Sequence, residues 1–368
     1  MKRILLLILA VAACVGLAAY FVPSDAASVN GSPVSRQSLD RDLSAIASSS
    51  DFQCYLSQRQ SLTDNRVVNV QVEGASQTAN ATNVYATSFV DGWLSQMVQA
   101  KVAADLVARQ GVTVTANDLG LARTVLERRI TDVLDAYAQS TGTPPGCGGS
   151  GAAVLGSVPA SFAAEQVRAQ ADQSILAARA VGAGLATSQI QGYFAAHESE
   201  FDRVCLSVVV VRTKPAAALL ELAIKGGTPF AQVAKSSSIT SSTGSNGGAA
   251  GCAVLAGTSL FTPLEHLGLN QVSSPISYNG VYLLVEVTSR TPATFAAVRR
   301  TVTTAMLLAG QPRAEAQLTA ALRAADIRVD PRFGTVKALA AIHPPVNPPL
   351  TALLTARANT PGGVPAAG

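Results

Sequence analysis

The sequence predicts an α+β protein in which a compact α+β unit, residues 203–289, lies between mainly helical segments. The first observation is the run KSSSITSSTGSNGGAAGC, residues 235–252, which is dense in turn-forming residues. The second is that this run follows a segment of helical periodicity, residues 214–238, and precedes a strand-like VYLLVEV segment. The third is a series of apolar stripes at helical spacing on both sides of the unit.

The N-terminus predicts export. A basic start, an apolar run over residues 4–22 and small residues up to Ala26 are typical of a secretory signal peptide cleaved after Ala26. The apolar run is at the edge of the length that spans a bilayer, so an uncleaved membrane anchor is the alternative. A third interpretation makes Cys14 the lipid-bearing residue of a lipoprotein processing site. Each interpretation exports the chain, and residues 4–22 predict membrane association.

The segment that follows begins with a short strand-like SVNG and continues into a helix. Ser35 is a candidate N-cap, and Leu39, Leu43 and Ile46 follow at helical spacing. The Ser/Asn/Gln-rich residues 47–86 carry little periodicity. We expect them to form a long loop that is held at Cys54, with one short strand in VVNVQV.

Further helices are predicted from residue 89 onwards. Two apolar stripes lie on either side of Gly111, which ends the first helix, and Thr115, which can cap the second. Their members are Phe89, Trp93, Met97, Val102 and Leu106, then Leu119, Val125, Leu126, Ile130, Val133 and Leu134. A Gly/Pro-rich loop that carries Cys147 precedes a helix over residues 161–181 and a shorter one in SQIQGYFAAHESEF.

The C-terminal part predicts one helix, one strand and a tail. Residues 294–325 have helical character, with an interruption expected near Gly310 and Pro312 because proline cannot donate a helical hydrogen bond. DIRVDPRFG predicts a short strand and a turn. Residues 338–368 are Ala/Pro-rich with few charges, and we expect a flexible tail.

Composition excludes several classes of function. The 368 residues are 48% hydrophobic and 14% charged, which suits a folded chain with a sizeable core. The net charge is +4 and aromatic residues make up 5%, without basic clusters, so no nucleic-acid partner is expected. The sequence predicts no cofactor and no metal, since no CxxC or nearby histidine accompanies any cysteine.

Export makes the cysteines informative, because thiols in an oxidising compartment tend to pair. The four beyond Cys14 are Cys54, Cys147, Cys205 and Cys252. Four cysteines allow three pairings, and the sequence alone does not choose among them. Their distribution favours Cys54–Cys147 and Cys205–Cys252, because the second two lie in the central unit and the first two precede it.

The central unit reads VCLSVVVVRT, then GTPFAQVAK, a Ser-rich loop ending in NGG, a TPLE segment and a closing NGVYLLVEV. In this order and spacing it resembles a parvulin-type (PpiC-like) prolyl isomerase domain. The VNG entry and YFAAHESEF exit of the preceding segment are similar to the N-terminal chaperone region of SurA-like and PrsA-like exported foldases. The resemblance implies that residues 27–202 and 290–337 together form one helical chaperone domain, into which the parvulin-like residues 203–289 are inserted.

The resemblance also indicates where catalytic groups would lie. The family's two usual histidines correspond to Val208 and Tyr282, and its loop Cys or Asp corresponds to Thr240 or Ser241. The apolar substrate-binding positions correspond to Leu260, Phe261, Leu264 and, again, Tyr282. Cys205 and Cys252 fall at positions that face each other in the family's fold. The three histidines of the chain, His197, His266 and His343, lie outside the family's catalytic positions.

These residues predict an exported folding factor that binds unfolded, proline-containing polypeptides through a helical chaperone domain and carries a degenerate isomerase domain. An active peptidyl-prolyl cis-trans isomerase is the alternative. A disulfide-stapled envelope scaffold that binds a dedicated partner is a further alternative. The absence of both usual histidines favours the first hypothesis over the second.

Overall fold

The structure is a computed structural model that describes residues 25–64, 87–256, 258, 260–336 and 341–343. The helices of these residues are α1 Arg36–Ala47, α2 Ser50–Asp64, α3 Thr87–Arg109, α4 Ala116–Thr141, α5 Gly151–Gly156, α6 Ala160–Ala180, α7 Thr187–Ala196, α8 Lys214–Lys225, α9 Phe230–Ser237, α10 Ser241–Gly244, α11 Phe261–Leu264 and α12 Phe295–Ala324. The strands are β1 Asp25–Val29, β2 Ser32–Ser35, β3 Arg203–Val211, β4 Ala249–Val254, β5 Ile276–Tyr278, β6 Val281–Thr291, β7 Ile327–Val329, β8 Thr335–Val336 and β9 Ile342–His343. The predicted signal or anchor with Cys14, and the strand predicted in VVNVQV, lie outside the described residues.

The chain divides into two compact units. The first comprises residues 1–173 and 315–368, and the second comprises residues 174–314. Both ends of the chain therefore contribute to one unit, with the other inserted between them. The predicted α+β fold class is confirmed.

A three-stranded antiparallel sheet, in the order β2-β1-β7, joins the two ends of the chain within the first unit. Ala27 of β1 pairs with Val34 of β2 on one side and with Val329 of β7 on the other. The β1–β2 connection is a tight turn, in which Asn30 and Gly31 both have positive φ angles. Ser35 then caps α1 by accepting a hydrogen bond from the Ser38 amide at 3.0 Å, as predicted.

The core of the first unit is built on aromatic side chains from three helices. Phe162 of α6 contacts Phe52 of α2 edge-to-face at 5.3 Å and Trp93 of α3 in a stacked arrangement at 5.7 Å between ring centroids. The indole N–H of Trp93 donates to the buried carboxylate of Asp42 in α1, at 3.1 Å. Trp93 is the single tryptophan of the chain and therefore reports on this unit alone.

The expectation of a long loop from residue 47 was wrong for residues 50–64, which form α2. The Ser49 hydroxyl accepts a hydrogen bond from the Phe52 amide at 3.0 Å, which is an N-cap interaction. Phe52, Tyr55 and Leu56 then fall on one buried helix face. Cys54 of α2 forms a disulfide with Cys147, which matches the pairing expected from the sequence.

Helix α12 is continuous from Phe295 to Ala324, so the interruption expected near Gly310 and Pro312 is absent from it. A proline costs a helix one hydrogen bond, and packing against a neighbouring helix offsets this cost. Within the second unit Gly310 lies directly against α6, where an added Cβ would be 1.8 Å from the Ala177 carbonyl oxygen. Arg313 reinforces the contact by donating to the Ala180 carbonyl at 3.2 Å.

Part of the segment predicted as a flexible tail is ordered. Ile342 and His343 form β9, which pairs with β8. The Ile342 side chain is buried in the core of the first unit, and its amide donates to the Ser95 hydroxyl of α3 at 3.0 Å. Within the predicted tail, Ile342 is therefore a core residue of the first unit.

The second unit contains a four-stranded antiparallel sheet in the order β4-β3-β6-β5. Thr213 caps α8, whose first turn carries Pro215, and α8 and α9 cover one face of the sheet. Helix α11 and the segment around it cover the opposite face. Because successive strand residues point to opposite faces, neighbouring positions of β3 and β6 contribute to two different apolar clusters.

Candidate functional site

Val208, which the family resemblance assigns to the position of the first-strand histidine, lies on the sheet face beneath α11 and is surrounded there by aliphatic side chains. Val208 of β3 packs there with Leu264 of α11 and with Val285, its partner in β6. The other members are Val204, Leu206, Val210, Leu255, Leu260, Leu267, Ile276, Val281, Leu283 and Val287. We call this apolar set the α11-side cluster; Arg290, which pairs with Val204 in the sheet register, borders it and donates to the Leu264 carbonyl at 3.1 Å.

The structure does not bring Val208 and Tyr282 together. Tyr282 pairs with Val211 of β3 and packs on the opposite face of the sheet, with Phe230 and Val233 of α9. The register of β3 and β6 decides this, because Val208 pairs with Val285 and Tyr282 is three positions from Val285, an odd offset that turns its side chain to the other face. Val208 and Tyr282 therefore present their side chains to opposite faces of the sheet.

Thr240 lies in a small cluster of hydroxyl groups beside β3. Its Oγ1 is 2.7 Å from Oγ1 of Thr243 and 3.1 Å from Oγ of Ser238. The Ser238 hydroxyl in turn accepts a hydrogen bond from the Val210 amide at 3.2 Å, and so connects the loop to the strand. These hydroxyls can donate and accept hydrogen bonds but carry no charge near neutral pH.

Ser241 begins α10 and is exposed. Its carbonyl oxygen accepts hydrogen bonds from the amide and the hydroxyl of Ser245, at 3.1 Å and 2.7 Å. Ser241 therefore starts a helix with an exposed side chain, and it supplies neither the carboxylate nor the thiol that the resemblance implies for this loop.

The Asn-Gly-Gly turn holds this loop against β3. The Gly248 carbonyl accepts a hydrogen bond from the Val208 amide at 2.7 Å. Gly248 has a φ of +94°, and a Cβ there would lie 2.9 Å from the Phe230 ring. A glycine is therefore required at this position by both backbone conformation and space.

The predicted substrate-binding residues are in three different situations. Leu264 is only 1% exposed and lies in the α11-side cluster, so in this structure it is a core residue and not a surface for substrate. Its carbonyl oxygen accepts from Arg290 at 3.1 Å, which fixes α11 on the sheet. Leu260 and Tyr282 are half-buried, and Phe261 lies in α11 with its side chain outside the description.

Glu286 is a titratable residue of the closing strand that the sequence analysis did not single out. It pairs with Ser207 of β3 and is half-buried on the same sheet face as Tyr282. Burial raises the pKa of its carboxyl above the usual value. The signal in the sequence was a single charged residue inside VYLLVEV. Because it faces away from Val208, Glu286 does not restore a polar network to the α11-side cluster.

The described histidines lie away from these positions. His197 stacks on Tyr193 at 4.3 Å and its Nδ1 is 2.7 Å from Glu200 Oε1, while the side chain of His266 is 90% exposed. In the part of the chain that the structure describes, no three His, Cys, Asp or Glu side chains come together as metal ligands. An open depression of about 600 Å³ lies along the outer side of α9, lined by Pro229, Ala231, Gln232, Lys235 and Ser236.

The second disulfide joins directly opposite residues of neighbouring strands. Cys205 of β3 pairs with Cys252 of β4 in the sheet register, and their Cα atoms are 3.8 Å apart. This is the pairing expected from the sequence. The bond fastens β4, whose side chains are otherwise mostly exposed, to the centre of the sheet.

Comparison with protein-family models identifies the second unit. Residues 187–300 match the model of the PPIC-type PPIase domain. The match includes β3, the Ser-rich loop, α11 and β6, and the parvulin-type domain predicted from the sequence is thereby confirmed. A comparison with curated protein sequences returned no match.

Several solved structures resemble the chain at low sequence identity. The peptidylprolyl isomerase PrsA of Bacillus anthracis is 13% identical, with 63% of this chain and 96% of that chain covered and a TM-score of 0.35. The foldase PrsA of Streptococcus pneumoniae is 17% identical, with 71% of this chain and 97% of that chain covered and a TM-score of 0.33. A structure described as one of two SurA-like chaperones of Campylobacter jejuni is 12% identical, with 81% of this chain and 96% of that chain covered and a TM-score of 0.23.

Proposed function

We propose that this chain, whose residues 187–300 form a PPIC-type PPIase domain, is an exported folding factor that binds unfolded polypeptides without efficient prolyl isomerase catalysis. The observation that carries the second part is the aliphatic filling of the α11-side cluster around Val208. The binding of unfolded polypeptides is supported by two observations. The domain belongs to a family that acts on polypeptide chains, and the surface of the second unit carries exposed leucines.

The chemistry of isomerisation explains why the loss of polar groups matters. Rotation about an Xaa-Pro bond breaks no covalent bond, but it faces a barrier of about 18–20 kcal/mol. A catalyst must bind the twisted amide more tightly than the planar one, and hydrogen bonds suited to the twisted state provide this difference. Val208 offers none, Leu264 is buried, and the hydroxyls of Ser238, Thr240 and Thr243 hydrogen-bond with one another.

Binding without turnover needs only exposed apolar surface and backbone partners. Leu219 and Leu222 are 68% and 67% exposed on the outer side of α8, three positions apart and thus on one helix face. Leucines exposed to this extent on neighbouring turns of a helix form a surface on which an unfolded chain can bury its own apolar side chains.

Replacing Leu219 and Leu222 together by serine is expected to weaken the suppression of client aggregation. The protein concentration needed for half-maximal suppression should rise about tenfold, because burial of two leucines in the complex is lost. Light scattering of a chemically denatured model protein diluted into buffer measures this.

Leu308→Ser is the matched control for this pair, since it removes an exposed leucine from a different helix, α12. It should leave suppression unchanged. If the wild-type protein suppresses no aggregation at any concentration, the proposed function is wrong. If Leu308→Ser weakens suppression as much as the pair does, the role of α8 is wrong.

Export is part of the proposal. Disulfides persist in oxidising compartments outside the cytoplasm, and Cys54–Cys147 and Cys205–Cys252 are both formed. Residues 1–26 would direct the export, and residues 4–22 would attach the chain to the membrane if they are retained. Among the described residues, which begin at Asp25, no helix is long and apolar enough to span a bilayer.

A further inference from the structure

The geometry points to the free edge of β4 as a binding site for an extended client segment, which would add to the sheet as a fifth strand. This inference rests on the proposed function, since it specifies how an unfolded polypeptide is held. β4 is the outer strand of the order β4-β3-β6-β5, and one side of its backbone has no partner strand among the described residues.

The register of β3 and β4 identifies the backbone groups that point outward. In an antiparallel pair, directly opposite residues alternate between hydrogen-bonded pairs, with Cα atoms about 5.5 Å apart, and closer non-hydrogen-bonded pairs. The Cα atoms of Cys205 and Cys252 are 3.8 Å apart, which indicates a non-hydrogen-bonded pair. The N–H and C=O of Cys252 therefore point away from β3, and so do those of Val254, two residues further along.

The side chains of β4 leave this edge accessible. The strand reads AAGCAV, and its first five residues are exposed. It contains neither a charged residue nor a proline, which are two of the devices that protect an edge strand from pairing. A third device, a β-bulge, is present at the start of the strand, where Ala250 has no partner in β3, but residues 252–254 follow a regular register.

An unfolded polypeptide is the occupant that matches these groups. An extended chain presents N–H and C=O groups at the same spacing, and strand addition uses them whatever its side chains are. A folding factor that binds many sequences needs a surface of this kind. The Cys205–Cys252 disulfide holds β4 on β3, so the outer edge is ordered before the client arrives and less conformational entropy is lost on binding.

Amide hydrogen exchange tests the site directly. The isotope-labelled, oxidised protein is measured alone and saturated with a short proline-free peptide of alternating valine and threonine. The amides of Cys252 and Val254 should exchange at least about tenfold more slowly with the peptide bound. The amide of Ala253 points towards β3 and should change little.

Val254→Pro supplies a second readout. It removes an outward N–H without removing a hydrogen bond between β3 and β4, and it should raise the Kd for the peptide about tenfold. Val254→Thr is the matched control, since it keeps the N–H and a β-branched side chain, and should bind like the wild type.

The outcomes separate this inference from the function on which it rests. Peptide binding and aggregation suppression without slower exchange at Cys252 and Val254 would overturn the inference and leave the proposed function standing. Slower exchange at these amides without peptide, increasing with protein concentration, would mean that a second copy occupies the edge and would also overturn it. Absence of any client or peptide binding would overturn both.

Discussion

Replacing Cys54 and Cys147 together by alanine is expected to lower the free energy of unfolding of the first unit by about 4 kcal/mol. The disulfide closes a loop with a sequence separation of 93 residues, which includes α3 and α4. Without the bond the unfolded chain gains the conformational entropy of that loop, and the native state gains nothing that compensates for it. Both cysteines also pack against the core, so their loss removes apolar contacts as well.

Urea unfolding followed by the fluorescence of Trp93 measures the effect, because this tryptophan is buried in the first unit. Fully reduced wild-type protein is the control and should unfold like the variant in reducing buffer. A double variant whose unfolding midpoint lies within experimental error of the oxidised wild type would show that the disulfide does not stabilise this unit.

Replacing Asp91 by asparagine is expected to stabilise the first unit by about 3 kcal/mol at pH 7. Asp91 is 2% exposed, and neither of its carboxylate oxygens has a hydrogen-bond partner among the described residues. Burial raises the pKa of this carboxyl from 3.8 to about 6. The charged form is therefore unfavourable in the folded protein, and asparagine removes the charge at nearly the same volume.

The pH dependence has a definite sign. The folded protein binds the proton of Asp91 more tightly than the unfolded chain, so stability is greatest below pH 4 for this group and falls as pH rises through 6. The same holds for Asp42, whose pKa burial raises to about 6, with Trp93 opposing the shift and Glu165 adding to it. The advantage of Asp91→Asn should therefore be full at pH 7 and vanish near pH 4.

Thermal and urea unfolding at both pH values, followed by far-ultraviolet circular dichroism, test this. Asp132→Asn is the matched control, since Asp132 is exposed on α4 and its replacement should change stability by less than about 0.5 kcal/mol. An Asp91→Asn variant that is no more stable than the wild type at pH 7 would contradict the account of the buried charge.

Most of the helices and the outline of the inserted domain could be predicted because their apolar residues recur at regular spacing or their caps are local. Ser35 and Thr115 cap the helices for which they were assigned, and Gly142 ends α4 in the left-handed conformation. Helix α2 was missed because its buried apolar residues, Phe52, Tyr55 and Leu56, form a short signal in a Ser/Gln-rich stretch. Its partners, Phe162 above all, lie far away in the sequence.

For the candidate site, the sequence predicts which positions along the chain belong to it, but not which sheet face each side chain occupies or how deeply it is buried. The landmarks locate Val208 and Tyr282 along the chain, but their faces depend on the register of β3 with β6, which no local pattern specifies. The burial of Leu264 likewise depends on how α11 packs on the sheet. The outward direction of the N–H and C=O groups of Cys252 and Val254 follows from the register of β4 with β3, and the sequence AAGCAV alone does not predict it.

Under the proposed function, the PPIC-type domain of this chain binds polypeptide without efficiently isomerising it. The most direct test is the rate of cis-trans isomerisation of an Xaa-Pro test peptide with the purified, oxidised protein present at the concentrations that suppress aggregation. We expect the rate constant to stay at the uncatalysed value, with relaxation over tens of seconds at 25 °C. A strong, concentration-dependent acceleration would contradict the proposed function, whether or not Tyr282→Ala abolishes it.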